Sequence, residues 1–122
     1  MSGKILLVDD IASNRIVLRV KLSSAFYSVS QASTVDEALV SAQSEPPDMV
    51  ILSAHLPENG ARRLISALRA TPGMSDLPVL AIAPPMTEAA RIALLELGVL
   101  SFLCILHQHH DSILNNTPLP KL

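Results

Sequence analysis

Lys4-Ile5-Leu6-Leu7-Val8-Asp9-Asp10 decides how the rest of the chain is read. Its apolar run is too short for a helix and too apolar for a strand with one wet face. It therefore reads as a strand buried on both faces, with two carboxylates directly after its carboxyl end. The runs at 49–52, 79–82 and 102–105 have the same character. A fifth run, 27–32, alternates polar and apolar residues and suits the edge of a sheet.

Segments with helical spacing separate these runs. Residues 14–24 place Ile16, Val17, Val20 and Leu22 near one side, with Ser13 as N-cap. Thr34-Val35-Asp36-Glu37 is a capping box opening a helix that carries Ala38, Leu39 and Ala42. Residues 61–70 follow the turn Pro57-Glu58-Asn59-Gly60 and stop at Thr71-Pro72-Gly73. Residues 86–97 form a further helix, with Gly98 placed as its C-cap. Strand–helix units at this spacing predict an α/β parallel sheet, whose functional groups collect at the carboxyl ends of the strands. Those ends are Asp9-Asp10, Ser33, Ser53, Ala83 and Leu106.

Composition agrees. The chain has 122 residues, enough for one domain with a single core, and 49% of them are apolar against 16% charged, which excludes disorder. Phe26, Tyr27 and Phe102 are its only aromatics, so the core is built from Leu, Ile, Val and Ala. A net charge of −2 gives no support for a nucleic-acid or anionic-membrane surface. The lone Cys104 fits a reducing compartment and reads as a small buried apolar residue. No apolar stretch reaches the roughly 18 residues of a membrane span, and the N-terminus opens into a strand without a signal peptide, so a cytoplasmic location is expected. Residues 1–114 are expected to form the domain. Residues 115–122, with Pro118 and Pro120, read as a tail or the start of a linker.

Adjacent carboxylates at the mouth of a cleft repel unless a cation or base neutralises them. Asp9 and Asp10 therefore admit two readings. One is a hard-metal site of the magnesium type; the other is an acidic loop that accepts hydrogen bonds from the following turn. His107, His109 and His110 likewise read as a metal cluster or as a solvated helix start. Ser53-Ala54-His55 matches part of the Asp-x-His-x-x-Gly motif of cobalamin-binding domains, but the Asp is missing and Gly60 lies too far on.

The opening 4–10 resembles that of the receiver domains of two-component response regulators. Pro47-Asp48-Met49-Val50-Ile51-Leu52, then Leu56-Pro57 and Gly60, resemble the family's run into its phosphoacceptor and the loop after it. Leu77-Pro78-Val79-Leu80-Ala81-Ile82 resembles the fourth strand, and Leu97-Gly98 with Phe102-Leu103 the approach to the fifth. The likeness covers residues 3 to about 106, and its texture is closest to the N-terminal receivers of PleD-type diguanylate cyclases. It implies a flavodoxin-like, doubly wound five-stranded parallel sheet of order 2-1-3-4-5 with helices on both faces.

Carried over residue by residue, the resemblance keeps the acidic pair at Asp9 and Asp10 and the fifth-strand aromatic at Phe102. It puts the phosphoacceptor aspartate at Ser53, the switch hydroxyl at Ala83, and the lysine and following proline at Ile105 and Leu106. The loop after Ser53 is one residue shorter than usual. Phosphoryl transfer to a carboxylate needs a nucleophile, a bridging metal, and cationic and hydroxyl groups for the developing charge. Three of these elements are absent, and the remaining pair makes at best a weak magnesium site. The losses balance, because a lone buried lysine at 105 would be costly once the aspartate at 53 had gone.

The resulting expectation is a pseudo-receiver: a signalling module, not an enzyme, with no cofactor beyond weakly held Mg2+. It would act through a protein partner or a homodimer at the face of the fourth helix and fifth strand. That helix is apolar around much of its circumference, more than one buried face requires. A covalently linked output domain in a longer protein is compatible with this. Two alternatives remain open: a cleft reused for a small ligand, or residual phosphotransfer through Ser53 or an acid of the pair.

Overall fold

The computed structural model describes residues 3–83, 87–99 and 101–104, the last four through their backbone. The strands are β1 (Lys4–Val8), β2 (Ser28–Ala32), β3 (Met49–Ser53), β4 (Val79–Ala83) and β5 (Ser101–Cys104). The helices are α1 (Ala12–Ser24), α2 (Val35–Ser44), α3 (Gly60–Ala70) and α4 (Glu88–Glu96). All strand pairs are parallel, in the order β2-β1-β3-β4-β5. The two central strands, β3 and β4, are buried at every position, whereas β2 at the edge is buried only at Ala32. That contrast is why β2 alone alternates in sequence.

Side-chain alternation sorts the core into two layers. Leu6, Val8, Val50, Leu52, Val79 and Ala81 pack on one face against α2, α3 and Leu94 of α4. Ile5, Leu7, Met49, Ile51, Leu80 and Ile82 pack on the other face, where Leu18 and Leu22 of α1 meet them.

Two expectations for α1 need correction. The helix starts at Ala12 with Ile11 as N-cap, so Ser13 lies inside it and caps nothing. The chain is turned earlier because the Asp9 carboxylate already takes the Ile11 N–H, at 2.9 Å. Of Ile16, Val17, Val20 and Leu22 only Leu22 is buried, together with Leu18; the other three face solvent. At 100° per residue, Leu18 and Leu22 share one side while Ile16 and Val20 lie on the opposite one.

The capping box of α2 forms with a shift. Thr34 Oγ1 accepts the Glu37 N–H at 3.1 Å, while Glu37 Oε1 accepts from the Ser33 N–H and hydroxyl, each at 2.8 Å. Helix α4 begins at Glu88, two residues after the expected start, with Thr87 as N-cap; Gly98 follows it at φ 90°, as a C-terminal glycine should. Arg69 of α3 ties the elements beneath the sheet together, donating to Leu77 O at 2.7 Å, Gly98 O at 3.1 Å and Leu97 O at 3.4 Å. The expectations at His107, His109, His110, Ile105, Leu106 and the 115–122 tail fall outside the described residues.

Candidate functional site

Register builds the site. Val8 pairs with Leu52, so Asp9 and Ser53, the next residues along, emerge at the same carboxyl edge of the sheet. Ser53 pairs with Ile82, which places Ala83 beside them. Asp9, Ser53 and Ala83 are all buried, while Asp10 turns outward and is exposed.

Asp9 is 2% exposed, yet every polar atom it presents is engaged. Its Oδ1 accepts from the Ile11 N–H at 2.9 Å and its Oδ2 from Asn14 Nδ2 at 3.3 Å. Its carbonyl accepts from Arg15 Nη1 at 2.6 Å, and its own N–H donates to Ala32 O at 3.1 Å. Burial pushes the Asp9 carboxyl above its ordinary value, with the neighbouring Asp10 charge adding to the effect. The hydrogen bonds from Ile11 and Asn14 and the charge of Arg15 oppose this without cancelling it. Asn14 and Arg15 are thus site residues that the reading of the acidic pair passed over. Their signal was an amide and a cation about one helical turn beyond the carboxylate they meet.

Ser53 is equally self-contained. Its Oγ accepts the His55 N–H at 3.2 Å, forming a local turn at the end of β3. His55 and Glu58 are exposed, and Glu58 uses its carbonyl to accept from Arg63 Nε at 3.0 Å. Ala83 presents a methyl group at the end of β4. Phe102 and Cys104 lie within β5, where their backbone alone is described. No buried side-chain polar atom among the described residues lacks a partner.

Both Asp9 oxygens already accept, Asp10 is turned outward, and Ser53 brings no charge where a third anionic ligand would sit. Among the described residues, no cluster of three or more His, Cys, Asp or Glu side chains could hold a metal ion. A shallow cavity of about 360 Å³ opens between α3 and α4, lined by Ala54, His55, Asn59, Arg62, Ala90 and Ala93 among others. Neither Asp9 nor Ser53 borders it.

A parallel sheet in this order, with an acidic pair after β1 and a third position after β3, defines a receiver-type α/β signalling module. The chain belongs to the response regulator receiver domain family, whose sequence pattern it matches over residues 5–104. It is 34% identical over 103 residues to the response regulator PleD of Caulobacter vibrioides, covering 84% of this chain and 23% of that protein. It is 35% identical over 98 residues to the alkaline phosphatase synthesis transcriptional regulatory protein PhoP of Bacillus subtilis, covering 80% of this chain and 40% of PhoP. The chain therefore spans well under half the length of these relatives. Among solved structures, the chemotaxis response regulator CheY4 of Vibrio cholerae superposes with a TM-score of 0.84 at 23% identity, covering 95% of this chain and 96% of CheY4. A response regulator from Chloroflexus aurantiacus gives 0.82 at 26% identity, covering 95% and 94%. No helix among the described residues is long and apolar enough to cross a membrane.

Proposed function

We propose that this receiver domain is a pseudo-receiver, which does not take up phosphate at position 53 and signals through protein contact. The observation that carries the reading is Ser53. At the end of β3 it offers a neutral hydroxyl that already accepts the His55 N–H, where acyl phosphate chemistry needs a carboxylate. Ala83 at the end of β4 removes the hydroxyl that would follow a phosphoryl group, so the α4 face works independently of phosphorylation. Ile92 and Leu95 of α4 are exposed, which supports α4 as the protein-binding face. The reading assigns this chain no catalysis of its own and a cytoplasmic site of action. It is compatible with a linked output domain in a longer protein.

A second reading rests on the cavity between α3 and α4. His55, Asn59 and Arg62 give it polar rim groups over an alanine-rich floor, the lining of a small-ligand site. The two readings separate in one comparison: a ligand raises the melting temperature at fixed protein concentration, whereas a protein contact responds to concentration.

The test is intact mass after incubation with acetyl phosphate and magnesium, beside a phosphorylatable receiver as control. The expected result is no mass gain while the control is labelled. A gain of one phosphoryl group that hydroxylamine removes would be an acyl phosphate and would end the pseudo-receiver reading.

A further inference from the structure

Helix α1 is built the opposite way round from an ordinary surface helix. Taking Leu18 and Leu22 as the inward side, 100° steps place Ser13, Ile16, Val17, Val20, Ser23 and Ser24 on the outward side. Not one of these is charged. Ile16 is 55% exposed and Val20 52%, one turn apart on the same stripe. Of the charged residues of α1, Arg19 and Lys21 flank that stripe, Arg15 turns inward to the Asp9 carbonyl, and the helix carries no acid. A helix with one buried face should turn its charges to water, so this outward stripe has the composition of a contact surface.

Helix α4 has a second such stripe with the opposite charge. With Leu94 inward, Ile92 and Leu95 face outward, 45% and 44% exposed, and Glu88 and Glu96 lie on the same side. Arg91, the single cation of α4, sits at the edge of this face, 3.6 Å from Glu88. One stripe is apolar and bordered by cations; the other is apolar and carries carboxylates. Each offers an i, i+3 or i, i+4 ridge of branched aliphatic side chains, the pattern by which helices interlock.

We infer that α1 of one copy of this chain docks on α4 of a second copy, head to tail. The inference rests on the reading of α4 as a protein-contact face and names what covers it. Ile16 and Val20 lie against Ile92 and Leu95, and Arg19 and Lys21 approach Glu88 and Glu96. Because α1 and α4 lie on opposite faces of the sheet, one partner does not cover both, so the contact is heterologous, a copy joined through α1 still offers its α4, and assembly continues beyond two.

Sedimentation of the full chain with two double variants tests this. Ile16→Asp with Val20→Asp blocks α1, and Ile92→Asp with Leu95→Asp blocks α4; all four positions are at least 44% exposed, so the fold tolerates them. Wild type is expected to grow past the dimer with concentration. Each variant alone stays at the monomer mass of 13.0 kDa, and an equimolar mixture stops at twice that mass. In single-charge variants, Arg19→Glu weakens association about two- to fivefold. Adding Glu96→Arg in the same chain restores it. If the α1-blocked variant still dimerises alone, α4 pairs with itself; the inference fails while the contact-face reading stands. A wild type that stays monomeric, or an α4-blocked variant that associates alone, also overturns the inference. The pseudo-receiver reading falls separately, if acetyl phosphate labels the chain.

Discussion

Asp9→Asn is expected to leave the domain at least as stable as wild type at pH 7, whereas Asp9→Ala should cost about 1–3 kcal/mol. The difference follows from what the carboxylate does. Its two oxygens satisfy the Ile11 N–H and the Asn14 amide. Asparagine keeps Oδ1 on Ile11 and, with the Asn14 amide reversed, keeps the second bond as well. Alanine keeps neither and leaves part-buried donors without acceptors. Charge is the remaining term. Burial raises the folded-state pKa of Asp9 above its ordinary value of 3.8, so in the window between the two the folded state binds more protons than the unfolded one. Stability from this group therefore falls as pH rises through that window, and the ionised form is a net cost at neutral pH. Asparagine removes that cost and flattens this limb. Glu37 acts with opposite sign: the Ser33 donors hold it below its ordinary value of 4.5, so its contribution is lost on acidification and persists in the variant. Urea unfolding at pH 4, 5 and 7, with the slope held common, reads all three proteins. A loss above about 1 kcal/mol for Asp9→Asn at pH 7 would mean that the charge itself stabilises the fold, refuting the reasoning.

Three further outcomes are expected. Arg69→Ala removes three donations to backbone carbonyls and should lower stability by about 2–3 kcal/mol in urea unfolding. Arg69→Lys should recover only part, because an ammonium cannot span all three acceptors. Gly60→Ala would place a Cβ 2.7 Å from the Leu56 Cβ, a clash costing about 1–3 kcal/mol; truncating Leu56 to alanine should not relieve it, since the clashing atom remains. Ser53→Asp places a third carboxylate at a buried edge already holding Asp9. It should destabilise the magnesium-free protein, and magnesium at ten times its Kd should return about 1.4 kcal/mol, while wild type shows no change in melting temperature.

The sheet was legible because burial on both faces leaves a mark that needs no neighbour to interpret. β3 and β4 are apolar at nearly every position, and β2 alternates because it lies at the edge. The Thr34–Glu37 box and Gly98 were legible for a related reason: each is a local solution to the unpaired groups at a helix end. The site was legible only in part. Spacing alone left Asp9 and Asp10 between a metal site and an acidic loop. The geometry separates the two residues, sealing Asp9 with Asn14 and Arg15 while Asp10 stays outside. Nothing in a run of two aspartates says which one the next turn will capture, because that depends on how far β1 continues before the chain bends.

Helix α1 shows a different limit, and it bears directly on function. Its apolar residues fall on two opposite sides, Leu18 and Leu22 on one and Ile16 and Val20 on the other, so a count of apolar positions does not identify the inward one. Placing Ile16, Val17, Val20 and Leu22 near one side follows if every branched aliphatic seeks the same interior. The sheet decides otherwise: Ile5, Leu7, Met49 and Ile51 present a face that Leu18 and Leu22 fill, and among the described residues no layer covers the second stripe. A residue pattern that satisfies the core once and then repeats on the outside has no explanation among the described residues. The same excess appears on α4, where Leu94 is the buried anchor and Ile92 and Leu95 face water. Two helices on opposite faces of one sheet, each with a surplus stripe and with opposite bordering charges, make the surplus intelligible as two halves of one contact. If assembly proves absent, the surplus on α1 loses its explanation, and the pseudo-receiver reading must then find its partner through α4 alone.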